Sequence, residues 1–103
     1  MFQRMANYVP IEVPDIDLTR VDNIEVSFEQ KSSDVSLWYG GDSIDVTNAH
    51  TLVVEIPKSD AMQLDDKPVR GQVMYTKDNG VPGATKVFTV TVNELLKEDG
   101  YGD

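Results

Sequence analysis

"TLVVEIPKSDAMQLDDKPVRGQVMY", residues 51–75, holds two strand-like runs separated by a short polar segment. In the first run Leu52, Val54 and Ile56 fall on one face and Glu55 on the other, the period-two pattern of a half-buried strand. Pro57 ends it. In the second, Val69, Gly71, Val73 and Tyr75 share a face opposite Arg70, Gln72 and Met74. Two strands paired as neighbours need only a tight turn, so the insert between them requires a reason. Ser59 is placed to cap one helical turn, with Asp60 near its positive end. Ala61 and Leu64, three apart, face the same way, and Met62 is turned outward. Pro68 disfavours helix at Lys67. A one-turn crossover of this kind suits a chain leaving one sheet for another, with Leu64 plugging the open end of a sandwich.

The same alternation extends outward from this stretch. "NIEVSFEQK" sets Ile24, Val26 and Phe28 against Glu25, Ser27 and Glu29, and "KSSD" turns the chain into "VSLWYGG". There Val35, Leu37 and Tyr39 share one face and Trp38 takes the other. A short strand is expected at Ile44 to Val46. Asn79-Gly80 is the strongest hairpin signal in the chain, and "TKVFTVTV" returns with Phe88, Val90 and Val92 on one side. These runs amount to about seven short antiparallel strands plus one helical turn, the spacing of an all-β sandwich or barrel. No helical segments alternate with the strands, which argues against α/β. Strand parity assigns the core to Ile24, Val26, Phe28, Leu37, Leu52, Val54, Ile56, Val73, Tyr75, Phe88, Val90 and Val92.

At the start, Val9, Ile11 and Val13 alternate, while Pro10 and Pro14 forbid a central strand. Residues 1–16 are therefore expected to form an extended arm or edge strand, 17–96 the sandwich, and 97–103 a mobile acidic tail after a short helix from Asn93. Val9, Ile11 and Val13 suit a segment that lies across a neighbour, which makes them candidate partner-binding residues. Deletion of residues 1–13 is expected to leave a folded domain that assembles less well.

The 103 residues correspond to one domain, and a net charge of -9 with pI near 4.3 opposes direct binding to nucleic acid. No apolar run approaches the roughly 20 residues of a membrane span, and "MFQRMANYVP" lacks the apolar region of a signal peptide. With no cysteine there is neither a disulfide framework nor a thiolate metal site. His50, the sole histidine, stands in a turn beside no nucleophile elbow. The acid pairs Asp15 with Asp17, Asp42 with Asp45 and Asp65 with Asp66 read as solvated surface rather than as a glycosidase pair or a calcium loop. Gly40-Gly41 lacks the lysine and helix of a phosphate loop. No catalytic, cofactor or metal residue is assigned, and no cofactor is expected. Trp38 and Tyr39 remain as a candidate binding patch, because large aromatics are enriched at interfaces. Both rings exposed in one concavity would favour a carbohydrate- or surface-binding module.

From Asp17 onward, "IDLTRVDNIEVSFEQ", "TLVVEIPKSDAMQLD", "KPVRGQVMYT" and "TKVFTVTVNELL" resemble a family of small prophage-encoded proteins of low-GC Gram-positive bacteria. "VVEIPKSDAMQLD" stands where that family has a "T-Q-E-D-T-L" corner, and "YTKDNGVPGATKVFTVTV" stands where it has its final hairpin. The family is similar to the immunoglobulin-like N-terminal domains of phage baseplate upper proteins. The resemblance implies an immunoglobulin-like sandwich and a non-catalytic virion role in the tail or baseplate, with capsid decoration as a variant. It further implies other phage structural proteins as partners and residence in the bacterial cytoplasm before assembly. Oligomerisation or assembly, with a homo-oligomer among the forms, is expected through a sheet edge or the N-terminal arm. The proline-punctuated arm departs from the family pattern.

Overall fold

The β2–β3 hairpin, Val21–Gln30 and Val35–Gly40, anchors the larger sheet. Its turn runs from Lys31 to Asp34, which takes a left-handed φ of 55° that aspartate tolerates. In the computed structural model, which describes residues 1–2 and 5–92, the remaining elements are β1 Asn7–Glu12, β4 Ile44–Asn48, β5 Thr51–Ile56, α1 Lys58–Ala61, β6 Val69–Lys77, β7 Pro82–Ala84 and β8 Phe88–Val90. All pairings are antiparallel. One sheet has the order β1-β5-β4; the other has β3-β2-β6, with β7 and β8 both on the far side of β6. The fold is an all-β sandwich.

The corner behaves as its residues predict. β5 belongs to the first sheet and β6 to the second, so α1 carries the chain between layers. Ala61 and Leu64 are both buried and Met62 is exposed. Ser59, however, is not the cap. The helical turn begins at Lys58 after Pro57, whose carbonyl accepts from the N–H groups of Asp60 and Ala61, and no side chain caps it. Ser59 already lies inside the first turn, beyond the position from which its hydroxyl could accept a free N–H.

Gln30 fixes the far side of this corner. Parity places it inward with Val26 and Phe28, and it is almost completely buried. Its Nε2 donates to the carbonyls of Asp65 (3.0 Å) and Lys67 (2.7 Å), and its Oε1 accepts from Asp65 N–H (2.7 Å) and the Ser33 hydroxyl (2.6 Å). One amide thus ties the "DDKP" stretch to the β2–β3 turn with every polar atom satisfied, the condition for burying a polar side chain.

Of the expected core, Val26, Phe28, Leu52, Val54, Ile56, Val73, Tyr75 and Val92 are buried. Ile24, Leu37, Phe88 and Val90 are half-buried and pack against the core from its margins. The N-terminal segment takes the edge-strand form of its two expected ones, and the partner-binding role expected of its apolar residues is overturned. β1 pairs along β5, with Val9 opposite Val54 and Ile11 opposite Leu52, and Val9, Ile11 and Val13 all join the core. It is an edge strand of the sandwich rather than an arm reaching away from it. Pro10 is tolerated because an edge strand leaves alternate N–H groups outside the ladder. The helix expected from Asn93 and the tail over 97–103 lie outside the described residues.

The return after the Asn79-Gly80 hairpin is made in two pieces, β7 within the segment read as a turn and β8 within the expected "TKVFTVTV". Met74 pairs with Ala84, whereas Gly71 pairs with Phe88, so the segment between Ala84 and Phe88 carries one residue more than β6 opposite it. Thr85 bridges the irregularity: its N–H donates to the Val73 carbonyl (2.9 Å) and its hydroxyl oxygen accepts from Val73 N–H (3.1 Å). The hydroxyl takes the place of a ladder carbonyl where the bulge disrupts the pairing.

Leu64 provides a direct test of the corner. Leu64→Ala should cost about 2–3 kcal/mol, the lower part of the range for buried leucines, because a site at the sandwich end can close partly around the cavity. A thermal melt indistinguishable from that of the parent would remove the plug role.

Candidate functional site

The outer face of the larger sheet carries the most distinctive surface group. Trp38 lies outward on β3, opposite Ser27 of β2, and its side chain is 61% exposed. Its Nε1–H donates to Glu25 Oε2 at 3.3 Å. A Cβ at Gly40 would stand 3.7 Å from the indole Cη2, so the ring extends along its own strand over that glycine. Beside it runs a shallow groove of about 340 Å³, lined on its polar side by Ser27, Glu29, Arg70 and Gln72 and closed by Val87. An indole held by one hydrogen bond, with its face open, offers rigid apolar area at small entropic cost.

Tyr39 has the opposite fate. It is 6% exposed, its ring meets Phe28 edge-on at 6.0 Å between centroids, and its hydroxyl donates to Asp60 Oδ2 at 2.9 Å. Burial, and then the Asp60 carboxylate, push its ionisation well above the usual phenol range. Tyr39 therefore holds β3 to the α1 corner and is removed from any binding patch. The two rings do not form a shared platform, because adjacent residues on a strand point to opposite faces and only the inner one is covered. Val9 and Ile11 on β1, and Val13 just after it, are likewise buried in the core, so their side chains are not available to a partner.

A second concavity opens between β1 and the β7–β8 edge. It encloses about 590 Å³, with Ile11, Val13, Ile16, Phe88 and Val90 among its walls. It is the open side of the sandwich, where the outer strands of the two sheets are not bridged. His50 closes the chain near its rim: its Nδ1 lies 2.8 Å from the Ile16 carbonyl and 3.3 Å from that of Val13. Both partners are acceptors, so Nδ1 carries the hydrogen, and the ring serves as a tie between the β4–β5 turn and the segment after β1. Among the described residues no three His, Cys, Asp or Glu side chains gather into a metal-holding set. No helix among them is long and apolar enough to cross a membrane.

Glu25 as the partner of the indole was accessible to sequence reasoning. Counting back from the four-residue "KSSD" turn puts Trp38 across from Ser27, and Glu25 is the diagonal neighbour on the same face. Arg70, Gln72 and Val87 were not accessible in that way, because they reach the groove only through the pairing of β2 with β6 and the β7–β8 bulge. No protein-family model matches the chain, and no curated protein matches it.

Proposed function

We propose that this protein is a non-catalytic structural component of a phage or prophage particle, in the tail or baseplate, that works through protein–protein contacts. The observation that carries the reading is Trp38, a large aromatic displayed on the outer face of the larger sheet and steadied by Glu25. Aromatic anchors of this kind are enriched in the centres of protein interfaces. A surface of net charge -9 complements basic patches on a protein partner and opposes a nucleic-acid backbone.

Strand order supports the immunoglobulin-like part of the reading. The sequence β3-β2-β6-β7/β8 corresponds to C′-C-F-G of a variable-type immunoglobulin sandwich, and β1-β5-β4 corresponds to B-E-D. On that mapping α1 occupies the E–F corner, and Phe28 takes the place of the large buried aromatic on strand C. Fold alone does not assign function, so the particle role rests on the sequence resemblance together with the exposed aromatic. The test is mass spectrometry of purified particles induced from the host. The protein should co-purify with intact virions or assembly intermediates. Its absence from both, with free protein in the cytosol, would sink the particle role.

A further inference from the structure

Among the four outer strands of the two sheets, three carry features that obstruct further pairing. β1 has Pro10, which offers no N–H. β4 is five residues long, carries an exposed Asp45, and slips register between Val46 and Asn48. The β7–β8 edge has Pro82, the bulge at Thr85 and the exposed Lys86. These are the devices by which natural sheets blunt their edges.

β3 has none of them. Val35–Gly40 is a six-residue strand of regular register that, among the described residues, pairs only with β2. It contains no proline, no bulge and no charge. Val35 and Leu37 stay half-buried on its inner side, so the core is incompletely covered at this margin.

We infer that β3 is a self-association edge, pairing antiparallel with β3 of a second copy about a two-fold axis. Charge selects this occupant. The run from Val35 to Gly41 is uncharged in a chain of net charge -9, so two identical acidic domains can meet here without directly opposed carboxylates. Shape selects the register. Antiparallel partners share a face, so centring on Leu37 sets Leu37 against Leu37, Ser36 against Trp38, Val35 against Tyr39, and Asp34 against Gly40. Each large outer ring then faces a serine, and no carboxylate faces another across the axis. The inner leucines extend the two cores into one, and the larger sheets join into a continuous layer. The two indoles become diagonal neighbours, about 7–8 Å apart at Cα. A contact roughly 20 Å long is small beside standard interfaces, so the association is weak and concentration-dependent.

This inference does not depend on the particle role, since it concerns the purified protein alone. Sedimentation from about 10 µM to about 1 mM, the range of a weak interface, should show a reversible monomer–dimer equilibrium. Raised salt should strengthen it, because screening reduces the repulsion between two acidic copies. The single tryptophan supplies a second readout: its emission should shift with dimerisation, and β3 amides should exchange more slowly as concentration rises. Ser36→Glu, on an exposed site of β3, should weaken association at least about tenfold, because each copy then sets a carboxylate against the partner's indole; a thermal melt of the dilute monomer separates this from the cost of facing Glu29 across β2. Thr89→Glu, on the opposite edge, should leave it unchanged. A protein monomeric throughout the range would overturn the inference. So would a dimer that forms equally well in Ser36→Glu, or one lost only in Thr89→Glu.

Discussion

Deletion of residues 1–13 should abolish folding. The segment supplies Val9, Ile11 and Val13 to the core, and the backbone of β1 completes the ladder along β5. Burying each such side chain is worth about 1.5–3 kcal/mol, and three of them amount to a large share of the roughly 5–15 kcal/mol that a domain possesses. Removal also uncovers Leu52, Val54 and Ile56, now fully buried beneath the same sheet. The truncated chain should lack a cooperative thermal transition and show far-ultraviolet circular dichroism without sheet. Ile11→Asp in the full-length chain should act in the same direction, through an unpaired charge in the core. A truncated protein that melts cooperatively within a few degrees of the parent would show that β1 is an appendage after all. The contrary expectation, that this segment is dispensable for folding, follows from reading its prolines alone.

Phe28→Ala should be the most damaging single truncation, at about 3–5 kcal/mol. The ring is buried where both layers meet. It lies 6.0 Å from Tyr39 and 6.4 Å from Phe88 between centroids, edge-on in both cases. Gly71 makes the space: a Cβ there would approach Phe88 Cε2 to 2.6 Å and Phe28 Cδ1 to 3.1 Å. Removing the ring leaves a cavity that three strands cannot close without breaking their register. For a domain of this size the melting temperature should fall by more than about 12 °C. Trp38→Ala is the control. Its side chain is larger but 61% exposed, and its loss should change stability by no more than about 0.5 kcal/mol. Equal losses for the two variants would mean that the sheet faces are assigned the wrong way round.

The period-two alternation alone determined much of this molecule. It sorted Val26, Phe28, Leu52, Val54, Ile56 and Val73 inward, because a strand has two faces and one must leave water. The polar insert after Pro57 marked a change of sheet, because strands adjacent in a ladder have no use for a helical turn. The inward position of Gln30 was legible too, as an amide on the Val26 and Phe28 face, but its partners lie 35 and 37 residues away at Asp65 and Lys67. Only folding could bring them together. Likewise, parity separated Trp38 from Tyr39 without saying which face would be covered; the three-stranded sheet and α1 lie over the Tyr39 side. The fate of Val9, Ile11 and Val13 was decided by β5, whose free edge accepts a proline-bearing strand as long as the missing N–H points outward. The split between β7 and β8, and with it the position of Val87 beside the indole, came from one surplus residue opposite β6. Local pattern fixes which residues seek burial. Long-range pairing decides which of them find it within the chain, and which edges remain for another.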